Sequence, residues 1–346
     1  MDAAKKPDLA KECFCAGVAK FLDGHYDEAE GEFKEALRYD PTLPLAYCYL
    51  SIIAIEKGDI DVGLKWCDQG LEVDPENGYL HYCLGAAYER KGLPQEAILE
   101  YKIYLNEHPR DAECVFSLGC AFDQAGQIYE AIKYYKHAIS LDELHYKACY
   151  NLALVLGEQG NTPDAIAFLK KTVSINGEYW KGWIKLGLFY SYEKRWKDSL
   201  TAYERAISLR PDIADSHYNL GLCYLTNKKP KKAIKSFQEA ARLNPQDSES
   251  FFYIAIAHLD LEEEEAAIEA LRQTLNIHLD HEKAHYLLGR LYFLRSEINK
   301  GEKELLFLKS VKSNYVEPLS ACYPTAKKKR KKAAPKEIAP TEEPNA

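Results

Sequence analysis

Three histidines and a pair of cysteines are the residues whose types and spacing first suggest chemistry. His281 and His285 stand four apart, so on a helix both rings face one side, and His278 lies close by. That spacing suits a shared metal ion. His285, however, falls on a packing position that His217 also occupies two repeats earlier, so packing and solvent account for these rings and no metal is expected. Cys13 and Cys15 are two apart, which sends them to different helix faces and makes a poor metal pair. The other eight cysteines are scattered, and no C-x-x-C occurs. All ten read as reduced thiols used as small apolar side chains, which implies a reducing compartment. No phosphate-binding G-x-x-x-x-G-K-[ST], no G-x-G-x-x-G and no nucleophile elbow is present. Catalytic residues, metal and cofactor are all expected to be none.

Whatever these residues do, they must be positioned by a repeat. Trp183, Leu186, Gly187, Tyr190, Ser199, Tyr203, Ala206 and Pro211 are followed 34 residues later by His217, Leu220, Gly221, Tyr224, Ala233, Phe237, Ala240 and Pro245. With Pro211 as position 32, nine copies begin at Ala10, Pro44, Gly78, Ala112, Tyr146, Trp180, Ala214, Ser248 and Glu282, without insertion or deletion, and the last closes at Tyr315. Positions 4, 7, 8 and 11 fall on one helix face by their spacing. Position 8 is small in every copy, from Gly17 to Gly289, and so is position 20, from Ala29 to Gly301. Glycine inside a helix costs about 1 kcal/mol against alanine, so two closely packed helices per repeat are the expected compensation. Gly24, Gly58, Gly92, Gly126 and Gly160 mark the end of the first helix, and Pro94, Pro163 and Pro230 the start of the second. Repeat 2 has a thin pattern, with Ala54, Gly63, Cys67 and Gly70 at core positions.

This period and pattern resemble the tetratricopeptide repeat family. The resemblance implies an all-α, right-handed solenoid, a superhelix of helix pairs. Its parts are an N-terminal extension over 1–9, nine repeats over 10–315, and over 316–346 a short cap followed by a disordered basic tail. No segment is left for a catalytic domain, so the chain is expected not to be an enzyme. Charged residues make up 28% and hydrophobic ones 47%, as in a soluble folded chain, and no apolar run approaches the roughly 18 residues of a membrane span. Met1-Asp-Ala-Ala-Lys-Lys-Pro7 lacks the apolar stretch of a secretory signal.

In this family positions 2, 5, 6, 9, 12 and 13 face the concave groove. Seven of nine residues at position 5 are aromatic, among them Tyr82, Phe116, Tyr150, Tyr218 and Phe252, which suggests an aromatic ladder. The first eight at position 9, including Leu154 and Leu188, are apolar. Together the rows either pack neighbouring first helices or make a groove for an apolar peptide. The expected partner-binding set is Lys147, Tyr150, Asn151, Leu154, Lys181, Lys185, Leu188, Tyr218 and Asn219. The function implied is a non-catalytic scaffold or adaptor holding other proteins or peptides. Asn151, Lys181 and Lys185 are similar to part of the carboxylate clamp by which co-chaperones of this family hold an acidic C-terminal peptide, but Phe116 and Cys120 stand where the clamp's remaining Lys and Asn belong. A regulatory subunit or remnant of a tetratricopeptide glycosyltransferase is a further alternative, with asparagine at position 6 only in Asn151 and Asn219.

From Val316 on, seven basic residues stand against four acidic ones, in a chain of net charge −8. Lys327–Lys332 is an unbroken basic run of the kind that directs nuclear import. The expected location is cytoplasmic, with nuclear import through this run as the alternative. No membrane insertion is expected. No aromatic interleaves the lysines, so nucleic acid is expected to bind at most non-specifically.

Overall fold

The computed structural model describes residues 6–323, which form nineteen helices with no strand among them. The run Lys327–Lys332 lies outside the described residues. The chain divides into two units, Met1–Ile175 and Asn176–Ala346. In unit 1 the first helices of successive repeats are α1 (Lys6–Leu22), α3 (Pro44–Glu56), α5 (Gly78–Lys91), α7 (Ala112–Gln124) and α9 (Tyr146–Glu158). They alternate with α2 (Tyr26–Tyr39), α4 (Ile60–Val73), α6 (Pro94–Glu107), α8 (Ile128–Leu141) and α10 (Thr162–Ile175). In unit 2 the first helices are α11 (Trp180–Tyr192), α13 (Ala214–Thr226), α15 (Ser248–Asp260) and α17 (Glu282–Leu294). Their partners are α12 (Trp196–Leu209), α14 (Pro230–Leu243), α16 (Glu264–Ile277) and α18 (Ile298–Ser310), and α19 (Val316–Ala321) follows. Each unit is an all-α solenoid in which every helix packs on the helix before and after it.

Eight of the nine first helices begin at the residue that the 34-residue register marks. The exception is α1, which starts at Lys6 instead of Ala10. Pro7 suits a first turn because it has no N–H to leave unsatisfied, and Asp8 beside it complements the helix dipole. Side chains before several helices accept a free backbone N–H: Asn77 from Leu80, Asp111 from Cys114, and Asp247 from Glu249 and Ser250.

The core is organised by a pairing of position 8 with position 24. Phe33, Tyr101, Tyr135, Tyr203 and Phe237, all at position 24, are almost wholly buried. Each ring lies on the position-8 glycine of its own repeat. A Cβ on Gly85 would meet Tyr101 at 2.6 Å, one on Gly187 would meet Tyr203 at 2.9 Å, and one on Gly221 would meet Phe237 at 2.6 Å. Where position 24 is smaller, position 8 is larger. Leu169 goes with Ala153 and Leu271 with Ala255, all four buried. Cys67 goes with Ser51, its Sγ donating to the hydroxyl at 3.1 Å. The thin core of repeat 2 is filled from its neighbours, since Leu80 of the next repeat occupies the space a Cβ on Gly70 would need. In repeat 9 the space beside Gly289 is taken by Leu319 of α19, which is fully buried with Phe293, Leu305 and Leu308. Thus α19 covers the end of the array, and the Tyr323 hydroxyl donates to Glu302 at 2.7 Å.

The inter-helix turn needs a left-handed residue at position 15. In unit 1 it is always glycine, from Gly24 to Gly160. In unit 2 it is Lys194, Lys228, Glu262 and Ser296, with φ of 57°, 56°, 60° and 62°. The hydrogen bonds are the same in both. The N–H after the left-handed residue reaches back five residues, as in Leu93 to Tyr88 (2.9 Å) and Lys229 to Tyr224 (2.9 Å). A side chain in this conformation costs about 1–2 kcal/mol. Lys194→Gly and Lys228→Gly are therefore expected to raise the melting temperature of the full chain, each by about 0.5–1 kcal/mol of stability once the greater freedom of glycine in the unfolded chain is subtracted. Thermal unfolding followed by circular dichroism checks this.

Candidate protein-binding face

In unit 1 the first helices expose one face of α5, α7 and α9. Tyr82, Phe116 and Tyr150 at position 5 and Ala86, Cys120 and Leu154 at position 9 are all half-buried. Two of these rings pack inward on their own repeats. Tyr82 lies 5.8 Å from Tyr101 and Phe116 5.9 Å from Tyr135, so each packs on the position-24 ring of its own repeat. Phe14 and Phe33 repeat the arrangement at 5.7 Å. Phe14, Tyr82 and Phe116 are thereby anchored to the core while remaining half-buried.

The position-24 tyrosines carry their hydroxyls out to this face. Tyr101 donates to Glu89 at 2.8 Å and Tyr135 to Asp123 at 3.2 Å. Burial pushes both carboxyls up from their ordinary range, against the hydrogen bonds they accept. Burial pushes the thiol of Cys120, on the same face, up to about 12, so it is protonated at neutral pH. Asn151 donates to the Cys120 sulfur at 3.3 Å and to the Tyr135 hydroxyl at 3.5 Å. Lys147 is exposed and lies 3.8 Å from Glu113. The His145 ring, its Nε2 3.2 Å from the carboxylate, is the main cause that holds the Glu113 carboxyl below its ordinary range. Unit 1 therefore brings together Lys147, Tyr150, Asn151 and Leu154 from the expected set, all on α9. Glu89 and Asp123 were missed. Their signal was in the sequence, because an acid at position 12 coincides with tyrosine at position 24 only in repeats 3 and 4.

Unit 2 treats its share of the expected set differently. Lys181 is exposed, its ammonium 5.6 Å from the Trp180 ring, and Lys185 is half-buried. Leu188, Tyr218 and Asn219 are not surface residues. Their exposures are 4%, 7% and 3%, where the expected set has them facing a groove. Every residue of α13 from Ser216 to Leu225 is buried, so this helix has no free face over that stretch. Tyr218 packs at 5.7 Å from Phe237 and 5.8 Å from Tyr253. Asn219 occupies the position of Asn151, and Tyr203 that of Tyr135. Here, however, the Asn219 Oδ1 and the Tyr203 hydroxyl are buried with no hydrogen-bond partner among the described residues.

The histidines at repeat junctions are structural. His281 accepts the Ala284 N–H at 3.1 Å through Nδ1 and faces Glu249 at 2.9 Å through Nε2. His285 lies 2.5 Å from Glu304 and 2.8 Å from the Leu279 carbonyl. The two rings thus turn to different partners, and among the described residues no group of three or more His, Cys, Asp or Glu gathers as a metal site would need. None of the ten cysteines forms a disulfide. No described helix is long and apolar enough to cross a membrane.

No curated protein matches the chain. Residues 116–179 and 185–248 match the tetratricopeptide repeat family model. Among solved structures, YrrB, described as a tetratricopeptide repeat protein with an unusual peptide-binding site, is 20% identical with a TM-score of 0.51, over 53% of this chain and 95% of its own. Pseudomonas aeruginosa pilF is 21% identical with a TM-score of 0.51, over 62% of this chain and 99% of its own. At these identities the likeness is one of fold. The matched segments share their helix pairs and 34-residue spacing with the repeats on either side of them, and the chain carries tetratricopeptide repeats.

Proposed function

We propose that this chain is a non-catalytic scaffold that holds peptide segments of other proteins on the first-helix face of unit 1. The observation that carries the reading is the half-buried apolar stripe formed by Tyr82, Phe116 and Tyr150 with Ala86, Cys120 and Leu154. A contiguous stripe of this kind, rimmed by polar groups, is what a docked segment covers. Asn151, Glu89 and Asp123 give it fixed polar points, and Lys147 a charged edge. The peptide-binding description of YrrB supports the same use of the fold. In unit 2, Lys181 and Lys185 are the residues of the expected set that a partner reaches. Ten reduced cysteines fit a reducing compartment such as the cytoplasm.

Leu154→Glu tests this directly. The side chain is half-buried at the surface, so the variant is expected to keep its helical circular dichroism. Partners co-purifying with the tagged chain from its native cells, quantified by mass spectrometry, are expected to fall at least about thirtyfold, the effect of losing a central interface residue. Undiminished capture by the folded variant contradicts the reading.

A further inference from the structure

The inter-helix turns of unit 2 lie along one edge, because α11, α13 and α15 pack side by side in succession and run in the same direction. Where neighbouring turns carry opposite charges in this protein, they neutralise each other. In unit 1, Lys57 at position 14 reaches Asp27 at position 18 of the repeat before, at 2.6 Å, and Lys91 reaches Asp61 at 2.7 Å. In unit 2, Arg295 reaches Glu265 in the same way at 3.1 Å. Between repeats 6 and 7, and again between 7 and 8, both halves of this pair have changed. Position 18 is Lys197 and Lys231, and position 14 of the following repeat is Asn227 and Leu261. Lys194, Lys197, Lys228, Lys229, Lys231 and Lys232 are consequently all exposed, and among the described residues none of them forms an ion pair. Arg195 beside them is taken by Asp198 at 2.7 Å.

The next turn has the opposite sign: Glu262, Glu263, Glu264 and Glu265 are exposed together, with Glu263 facing His258 at 2.6 Å and Glu265 facing Arg295, so that among the described residues Glu262 and Glu264 form no ion pair. With Glu193 and Asp198 included, the edge carries net positive charge over repeats 6 and 7, most of it on repeat 7, and net negative charge over repeat 8. The left-handed residues follow the same order, Lys194, Lys228 and then Glu262, where unit 1 has glycine. A charged side chain kept at three strained positions in a row points to a use for the charge.

A long polyanion is a poor fit to this edge. It would be repelled by Glu262–Glu265 and by a chain of net charge −8. The fitting partner is bipolar, acidic opposite repeats 6 and 7 and basic opposite repeat 8. The chain itself carries that complement in reverse order. A two-fold axis sets two such edges antiparallel, so that the lysines of each copy meet the glutamates of the other twice. We propose that the turn edge of repeats 6–8 is a self-association surface on which a second copy of this chain docks antiparallel.

Sedimentation velocity of the full chain tests this. At about 0.1 M salt the screening length is about 10 Å, which leaves charges in contact effective and damps the repulsion between two net-negative chains; at about 1 M it is about 3 Å. A dimer is expected at the lower salt and a monomer at the higher. Reversing Lys228, Lys229, Lys231 and Lys232 to Glu is expected to give a monomer, and so is reversing Glu262–Glu265 to Lys. An equimolar mixture of the two variants is expected to dimerise again, because each reversed patch then faces its complement. Should either reversal fail to fold by circular dichroism, the neutral Lys→Gln set replaces it, with dimerisation at least about tenfold weaker. A wild-type chain that stays monomeric at the lower salt, a dimer that survives both reversals, or a mixture that stays monomeric overturns the proposal. A monomeric wild type that binds a glutamate-rich peptide or duplex DNA through these lysines likewise overturns it, leaving a polyanion site in its place.

Discussion

Phe237→Ala is expected to remove about 3–5 kcal/mol from the stability of unit 2, the cost of truncating a fully buried aromatic. The ring is 0% exposed and fills the space that Gly221 leaves open. It also stacks 5.6 Å from Tyr253 of the next repeat, so its loss opens both the helix pair and the joint beyond it. The pairing of positions 8 and 24 makes a sharper statement. Gly221→Ala gains about 1 kcal/mol of helix propensity. It also sets a Cβ 2.6 Å from the Phe237 ring, an overpacking that costs about 1–3 kcal/mol. Phe237→Leu alone leaves a gap. Together the two changes rebuild the Ala–Leu pair that repeats 5 and 8 already use. The double variant is therefore expected to be more stable than the sum of the singles implies, with a coupling of about 1 kcal/mol or more. Urea unfolding of the four chains, read by tryptophan fluorescence and circular dichroism, measures it. Strict additivity contradicts the pairing.

Leu188→Glu is expected to behave quite unlike Leu154→Glu, although both stand at position 9. Leu188 is 4% exposed, so its replacement places a carboxylate in the interior. An uncompensated buried charge costs about 3–5 kcal/mol. Leu188→Glu is expected to unfold at markedly lower denaturant, and any loss of partner capture follows the loss of structure. If Leu188→Glu melts like the wild type, the leucine is not buried as described.

The period was legible because it is written in residues with strict local roles. Proline in the second helix's first turn, glycine at position 15 of unit 1 and small residues at position 8 sufficed to mark eight of nine helix starts to the residue. The start of α1 was not legible, because Pro7 and Asp8 lie before the first full copy of the pattern. The reason for the small residues was only partly legible. They let helices approach, as expected, but the position-8 glycines of repeats 1, 3, 4, 6 and 7 each do so for one specific ring, which the alternation of Gly221–Phe237 with Ala255–Leu271 records in the sequence. The binding face was legible as a set of positions but not as a surface. Register says that Leu154 and Leu188, or Asn151 and Asn219, occupy equivalent places. It does not say that α13 is buried all round from Ser216 to Leu225 while α9 keeps an open side, because that depends on how neighbouring repeats pack.

The claim that the first-helix face of unit 1 holds partners is tested most directly by a photo-crosslinking amino acid placed in turn at two tyrosines. Tyr150 lies on that face, half-buried on α9, and Tyr129 is 81% exposed on the second helix α8. Irradiation in native cells is expected to join the chain with the residue at position 150 to a distinct set of proteins, and the same chain with it at position 129 to none of them. Adducts of equal yield from both positions, or adducts from position 129 alone, would contradict the account.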